Sequence, residues 1–120
     1  MNFKNYEKQA ILRLLSLMSI ADGNVSAIED RLFRVFMHKL GVTNRDILAS
    51  KTMNDSKACS IARGLSFKQK RLVGALLASI MLVDGKVDER EVLALTAIWV
   101  KCDIPVLNPI EAQVVLDTYL

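Results

Sequence analysis

Shifted by 62 positions, the chain lies on itself. Leu14, Leu15, Asp22, Gly23, Val25, Glu29 and Lys39 fall on Leu76, Leu77, Asp84, Gly85, Val87, Glu91 and Lys101. Apolar positions coincide as well, among them Ile11 with Val73, Met18 with Ile80, Ile20 with Leu82 and Phe36 with Ile98. Each unit reads as an apolar helix, a tight Asp-Gly turn and a second amphipathic helix. Two such hairpins packed about a pseudo-twofold axis would bury both apolar faces in one core.

The apolar spacing is helical throughout. Ile11, Leu14, Leu15 and Met18 form one stripe, and Ile28, Leu32, Phe36 and Leu40 a second, widened by Phe33 and Met37. Leu72, Leu76 and Ile80, flanked by Val73 and Leu77, make a third. No run alternates as a strand would. Ser26-x-x-Glu29, Ser66-x-x-Gln69 and Asp88-x-x-Glu91 have the form of capping boxes, in which the first side chain accepts a backbone N–H bond and the last reaches back. Asn108-Pro109 marks a further helix start, with proline where its missing N–H costs nothing. Gly23, Gly41, Gly64 and Gly85 stand where left-handed C-caps are expected. These signals predict helices over 4–21, 27–40, 44–50, 56–63, 67–83, 89–101 and 109–119. The expectation is one all-α domain over 1–120 with about seven helices. Repeat 1 covers about 4–42, linker helices about 43–65, and repeat 2 about 66–119.

Composition narrows the class. With 52% apolar and 24% charged residues in 120, the chain is globular rather than disordered. The N-terminus lacks a basic-then-apolar signal peptide. The longest apolar stretch, Leu72 to Val83, is interrupted by Gly74 and Ser79 and is shorter than the about 20 residues a spanning helix needs. A cytoplasmic protein is expected. Cys59 and Cys102, with no C-x-x-C, suit neither a disulfide scaffold nor a thiolate zinc site, so both thiols are expected to be free. The net charge of +3 permits an acidic partner without arguing for one.

The two turns carry whatever chemistry there is. They read Ala21-Asp22-Gly23-Asn24-Val25-Ser26-Ala27-Ile28-Glu29 and Val83-Asp84-Gly85-Lys86-Val87-Asp88-Glu89-Arg90-Glu91. Each matches the second half of an EF-hand calcium loop, but positions 1 and 3 would be Met18 and Ile20, or Ile80 and Leu82. A hard cation needs six or more oxygens, so the EF-hand reading is rejected. The pattern Ala-Asp-Gly-x-Val…Glu…Leu40-Gly41-Val42, repeated as Val-Asp-Gly-x-Val…Glu, instead resembles the tellurite-resistance TerB-like domain family. It is similar also to the N-terminal region of some DnaJ-like membrane co-chaperones. The resemblance runs from about residue 8 to 105 and departs from the family pattern at Cys102-Asp103-Ile104-Pro105, where a second Leu-Gly would stand.

The resemblance implies an all-helical domain of two helical repeats, acting in bacterial stress response through a protein partner, including a membrane-associated one. It further implies that the repeated acids chelate a metal. Carried across, the candidate ligands are Asp22, Glu29, Asp84 and Glu91. Were the pseudo-twofold to bring the turns within about 5–8 Å, four carboxylates would face one another. Two like charges 4 Å apart repel by about 4 kcal/mol at an effective dielectric near 20. A divalent cation relieves that, and an oxygen set selects calcium, magnesium or manganese over zinc. The residues by themselves favour a plainer reading, in which Asp closes each turn and the glutamates complete capping boxes worth about 1 kcal/mol.

Other features are weaker. Lys57, Arg63, Lys68, Lys70 and Arg71 give a basic segment, 57–71, that would suit a nucleic acid or an anionic surface. Phe67 is its one aromatic and no helix-turn-helix accompanies it, so it reads as a solvated face, and a nucleic acid is not the expected partner. His38, the single histidine, sits beside an apolar stripe with no dyad partner in view. Met18, Met37, Met53 and Met81 read as core packing, and Trp99 and Tyr119 either as anchors for a partner surface or, more plainly, as cover for the core edge. No nucleophile, base and orienter are nominated together, so a non-enzymatic module is expected. A metal-dependent hydrolase using the four acids is the catalytic rival.

Overall fold

The computed structural model describes residues 1–19, 27–82 and 89–120, without the side chains of 19 and 27–30. Among the described residues the chain forms seven α-helices and no strand. They are α1 (Asn5–Ser19), α2 (Ala27–Leu40), α3 (Asn44–Thr52), α4 (Asp55–Arg63), α5 (Phe67–Leu82), α6 (Glu89–Cys102) and α7 (Pro109–Tyr119). The all-α expectation holds, and the predicted boundaries agree to within two residues except at 21 and 83, which lie outside the described residues.

Two helices make the centre. From Leu72 to Ala78 every residue of α5 is buried, and Ile80 follows. A helix apolar all round must be enclosed by others. In α1, Ile11, Leu12, Leu14, Leu15 and Met18 are fully buried too. The pair α1 and α5 pack on each other; α3 and α4 lie against α1, α7 and α2 against α5, and α6 touches α1, α4 and α5. Every helix except α3 feeds one continuous apolar cluster, which Met53 joins just after α3 ends.

Local chemistry sets the helix ends. Ser66 Oγ accepts from the Gln69 amide at 3.1 Å while Gln69 Oε1 accepts from the Ser66 amide at 2.9 Å, closing the expected box on α5. Asn108 Oδ1 caps α7 through the Glu111 amide at 2.8 Å. Two further caps appear: Asn54 on α4, and a Thr43–Asp46 box on α3. Gly41 ends α2 at φ +70°, with Val42 N donating to Met37 O and Gly41 N to His38 O, the paired bonds of a Schellman motif. Gly64 corrects the expectation of a left-handed cap: its φ is −82° and its amide closes a tighter bond to Ile61 O instead. Gly23 and Gly85, and the boxes beginning at Ser26 and Asp88, lie outside the described residues.

The cysteines also correct the sequence reading. Cys59 and Cys102 are not free thiols but a disulfide, with Cα atoms 4.5 Å apart, joining α4 to the end of α6. The spacing of 43 residues gave no motif, because the two positions meet only once α4 and α6 pack.

Candidate functional site

Of the four acids at the paired turns, Asp22 and Asp84 lie outside the described residues, and so does the Glu29 side chain. Glu91 is described. It stands in the first turn of α6 and is 5% exposed. Its place in the helix explains this: Glu91, Leu95, Ile98 and Cys102 follow at helical spacing and all are buried, so the carboxylate shares the inward stripe of α6. A cap at a solvated helix start has no need of such burial, and a carboxylate taken from water demands compensating donors or cations. Glu89, two residues earlier, is exposed.

Apolar side chains of α6 away from that stripe are open to solvent. Leu93, Trp99 and Val100 are exposed, with Trp99 52% accessible, so this ring does not close over the core edge as expected. Tyr119 does pack against the core.

The basic segment is divided by the fold. Lys57 and Arg63 belong to α4, whereas Lys68, Lys70 and Arg71 open α5. Lys70 Nζ lies 2.6 Å from Asp103 Oδ2, and this lysine holds the Asp103 carboxyl below its ordinary pKa by hydrogen bond and charge. The Arg71 guanidinium stands over the Phe67 ring at 5.9 Å. Two of the five charges are thus engaged locally, which weakens the case for one continuous anionic-surface site.

A groove runs between α4 and α6. Its two adjoining hollows, of about 270 and 450 Å³, share Asp55, Cys59 and Lys101. Ser60 and Arg63 line the first, and Arg90 and Ile98 the second. Asp55 is held at 2.9 Å by Arg13 from α1.

Sequence reasoning missed one buried acid. Asp46 is 2% exposed, takes hydrogen bonds from Gln9 Nε2, Thr43 N and Thr43 Oγ1, and ties α3 to α1. Burial pushes its pKa up, but the Thr43 amide, Gln9, the Thr43 hydroxyl and the charge of Lys8 together hold it below the ordinary value. The signal was present as Thr43-x-x-Asp46, a capping box written with the shorter acid. His38 remains a residue of the last turn of α2. Among the described residues, no three His, Cys, Asp or Glu side chains gather as a metal cluster. No helix among them is long and apolar enough to cross a membrane.

No family model and no curated protein matches the chain. Among solved structures, it is similar to the crystal structure of a protein of unknown function from Porphyromonas gingivalis W83. The two share 27% identity over 98% of each chain, with a TM-score of 0.82. That likeness supports the all-α architecture across the full length and assigns no activity.

Proposed function

We propose that the chain is a TerB-like, non-catalytic interaction module of two helical repeats, in which Asp22, Glu29, Asp84 and Glu91 hold one divalent cation. The observation that carries this is the burial of Glu91 on the inward stripe of α6. That inward, buried position supports counting Glu91 among the oxygen donors of the ion. All-oxygen donors of this kind suit calcium, magnesium or manganese.

The repeat reading draws support from burial. Ile11 and Val73, Leu14 and Leu76, Leu15 and Leu77, Met18 and Ile80, and Phe36 and Ile98 are all buried pairs at the 62-residue shift. The exposed apolar side chains of α6 support action through a protein partner, including a membrane-associated one. A cytoplasmic setting and a role in bacterial stress tolerance complete the proposal.

Equilibrium dialysis against each of the three cations tests it. Wild type should retain one ion per chain, and both Asp22→Ala/Asp84→Ala and Glu91→Gln should lose it. Dialysis that leaves no ion on wild type at millimolar concentration overturns the cation site.

A further inference from the structure

The Cys59–Cys102 disulfide has one protected sulfur and one approachable one. Cys102 has no exposed surface, closed in at the end of α6. Cys59 is only partly buried and lines both hollows of the α4–α6 groove. Thiolates attack a disulfide along the S–S axis, from the side opposite the sulfur that leaves. The groove opens Cys59 to solvent, whereas Cys102 has no exposed surface.

The groove also has a charge preference. Arg63 and Lys101, both exposed, flank Cys59. Among the described residues lining the groove, the one carboxylate, Asp55, is already matched by Arg13. The other nearby acid, Asp103, is matched by Lys70. The balance left at Cys59 is positive, which stabilises an incoming thiolate and any second anionic group it carries.

We propose that Cys59 is a thiol-exchange site for small anionic thiols, which enter the α4–α6 groove on Arg63 and Lys101. The thiolate R–S⁻ forms an S–S bond to Cys59 Sγ as the Cys59–Cys102 bond breaks. The bonding pair departs on Cys102, which then takes a proton from water. The product is a mixed disulfide on Cys59 and a buried Cys102 thiol, with the staple between α4 and α6 open. Oxidation state is conserved, since one disulfide replaces another. Because Cys102 stays close, it re-forms the staple by attacking Cys59 and expelling R–S⁻ unless a second thiol completes the reduction. In a reducing compartment disulfides are rare, and those that do form are usually transient and catalytic or redox-sensing.

The test uses full-length wild-type protein and two probes, 2-mercaptoethanesulfonate and cysteamine, compared per mole of thiolate at low salt. Acid quenching, alkylation under denaturing conditions and peptide mass analysis locate the adduct. The adduct should fall on Cys59, with Cys102 alkylated, and appear at a rate proportional to thiol. The anionic-to-cationic rate ratio should drop at least about fivefold in Arg63→Glu/Lys101→Glu, the factor one nearby charge supplies in water. Salt should move the wild-type ratio the same way. An adduct on Cys102, a rate independent of thiol concentration, or an unchanged ratio in the charge-reversed variant would each overturn the proposal. So would two free thiols in aerobically purified wild type.

Discussion

Gly41 and Asp103, 62 positions apart, adopt the same left-handed backbone, with φ of +70° and 58°, and are the two positive-φ residues among those described. Each follows directly on a helix, Gly41 on α2 and Asp103 on α6. The bonds differ. Gly41 completes a Schellman pair, whereas Asp103 N donates once, to Trp99 O at 3.0 Å, the single bond of the αL motif. Where the chain departs from Leu-Gly it keeps the backbone shape, with an acid that tolerates it.

These caps respond differently to substitution. Gly41→Ala should cost about 1–2 kcal/mol, the penalty of a Cβ in the left-handed region. Asp103→Asn should lower the melting midpoint less than Asp103→Ala, because asparagine also tolerates that conformation. Equal losses for the two Asp103 variants would place the effect in the Lys70 pair rather than in the backbone.

Gly74 lies inside α5 because a Cβ there would collide with the Pro105 carbonyl oxygen. Gly74→Ala should therefore destabilise by about 1–3 kcal/mol although alanine is the better helix former. Pro105→Ala should not rescue it, since the obstructing atom is backbone. A more stable Gly74→Ala, by chemical denaturation, would contradict the packing.

The staple between α4 and α6 closes a loop of 43 residues. Opening it should lower stability by about 2–4 kcal/mol. Cys59→Ser, Cys102→Ser and the double variant should lose similar amounts, because the constraint is lost once. Additive losses in the double variant would show that packing of the separate side chains, not the cross-link, sets the cost.

Helix existence was legible because apolar spacing and caps agreed at most positions, as at Ser66 and Asn108. What escaped were relations needing two elements at once. The disulfide joins helices whose sequences announce no pairing, and Asp46 becomes buried only when Gln9 of α1 meets it. Gly64 read as a left-handed cap on residue type alone, but α4 ends there in a tight right-handed turn. For the acids, spacing marked Glu91 as a cap residue, while its inward placement follows from the stripe it shares with Leu95 and Ile98.

Asp46 gives the chain an acid-sensitive joint. Its carboxyl titrates below the unfolded value of about 3.9, so its contribution is complete above that value. It is lost as pH falls further, through the folded-state pKa. Asp46→Asn should be less stable at neutral pH and show a flatter decline below about pH 4. Parallel acid limbs for the two proteins, in urea titrations at stepped pH, would remove Asp46 from the account.

The most direct measurement of the central claim is thermal unfolding in chelator, then with calcium, magnesium and manganese in turn, for wild type and Asp22→Ala/Asp84→Ala. A cation at 100 times its dissociation constant stabilises the native state by about 2.7 kcal/mol. In a chain of this size that raises the midpoint by roughly 10 °C. The account predicts such a rise with one of these ions in wild type and none in the double variant. No rise with any ion, or an equal rise in both proteins, would contradict it and leave the acids as turn and cap residues.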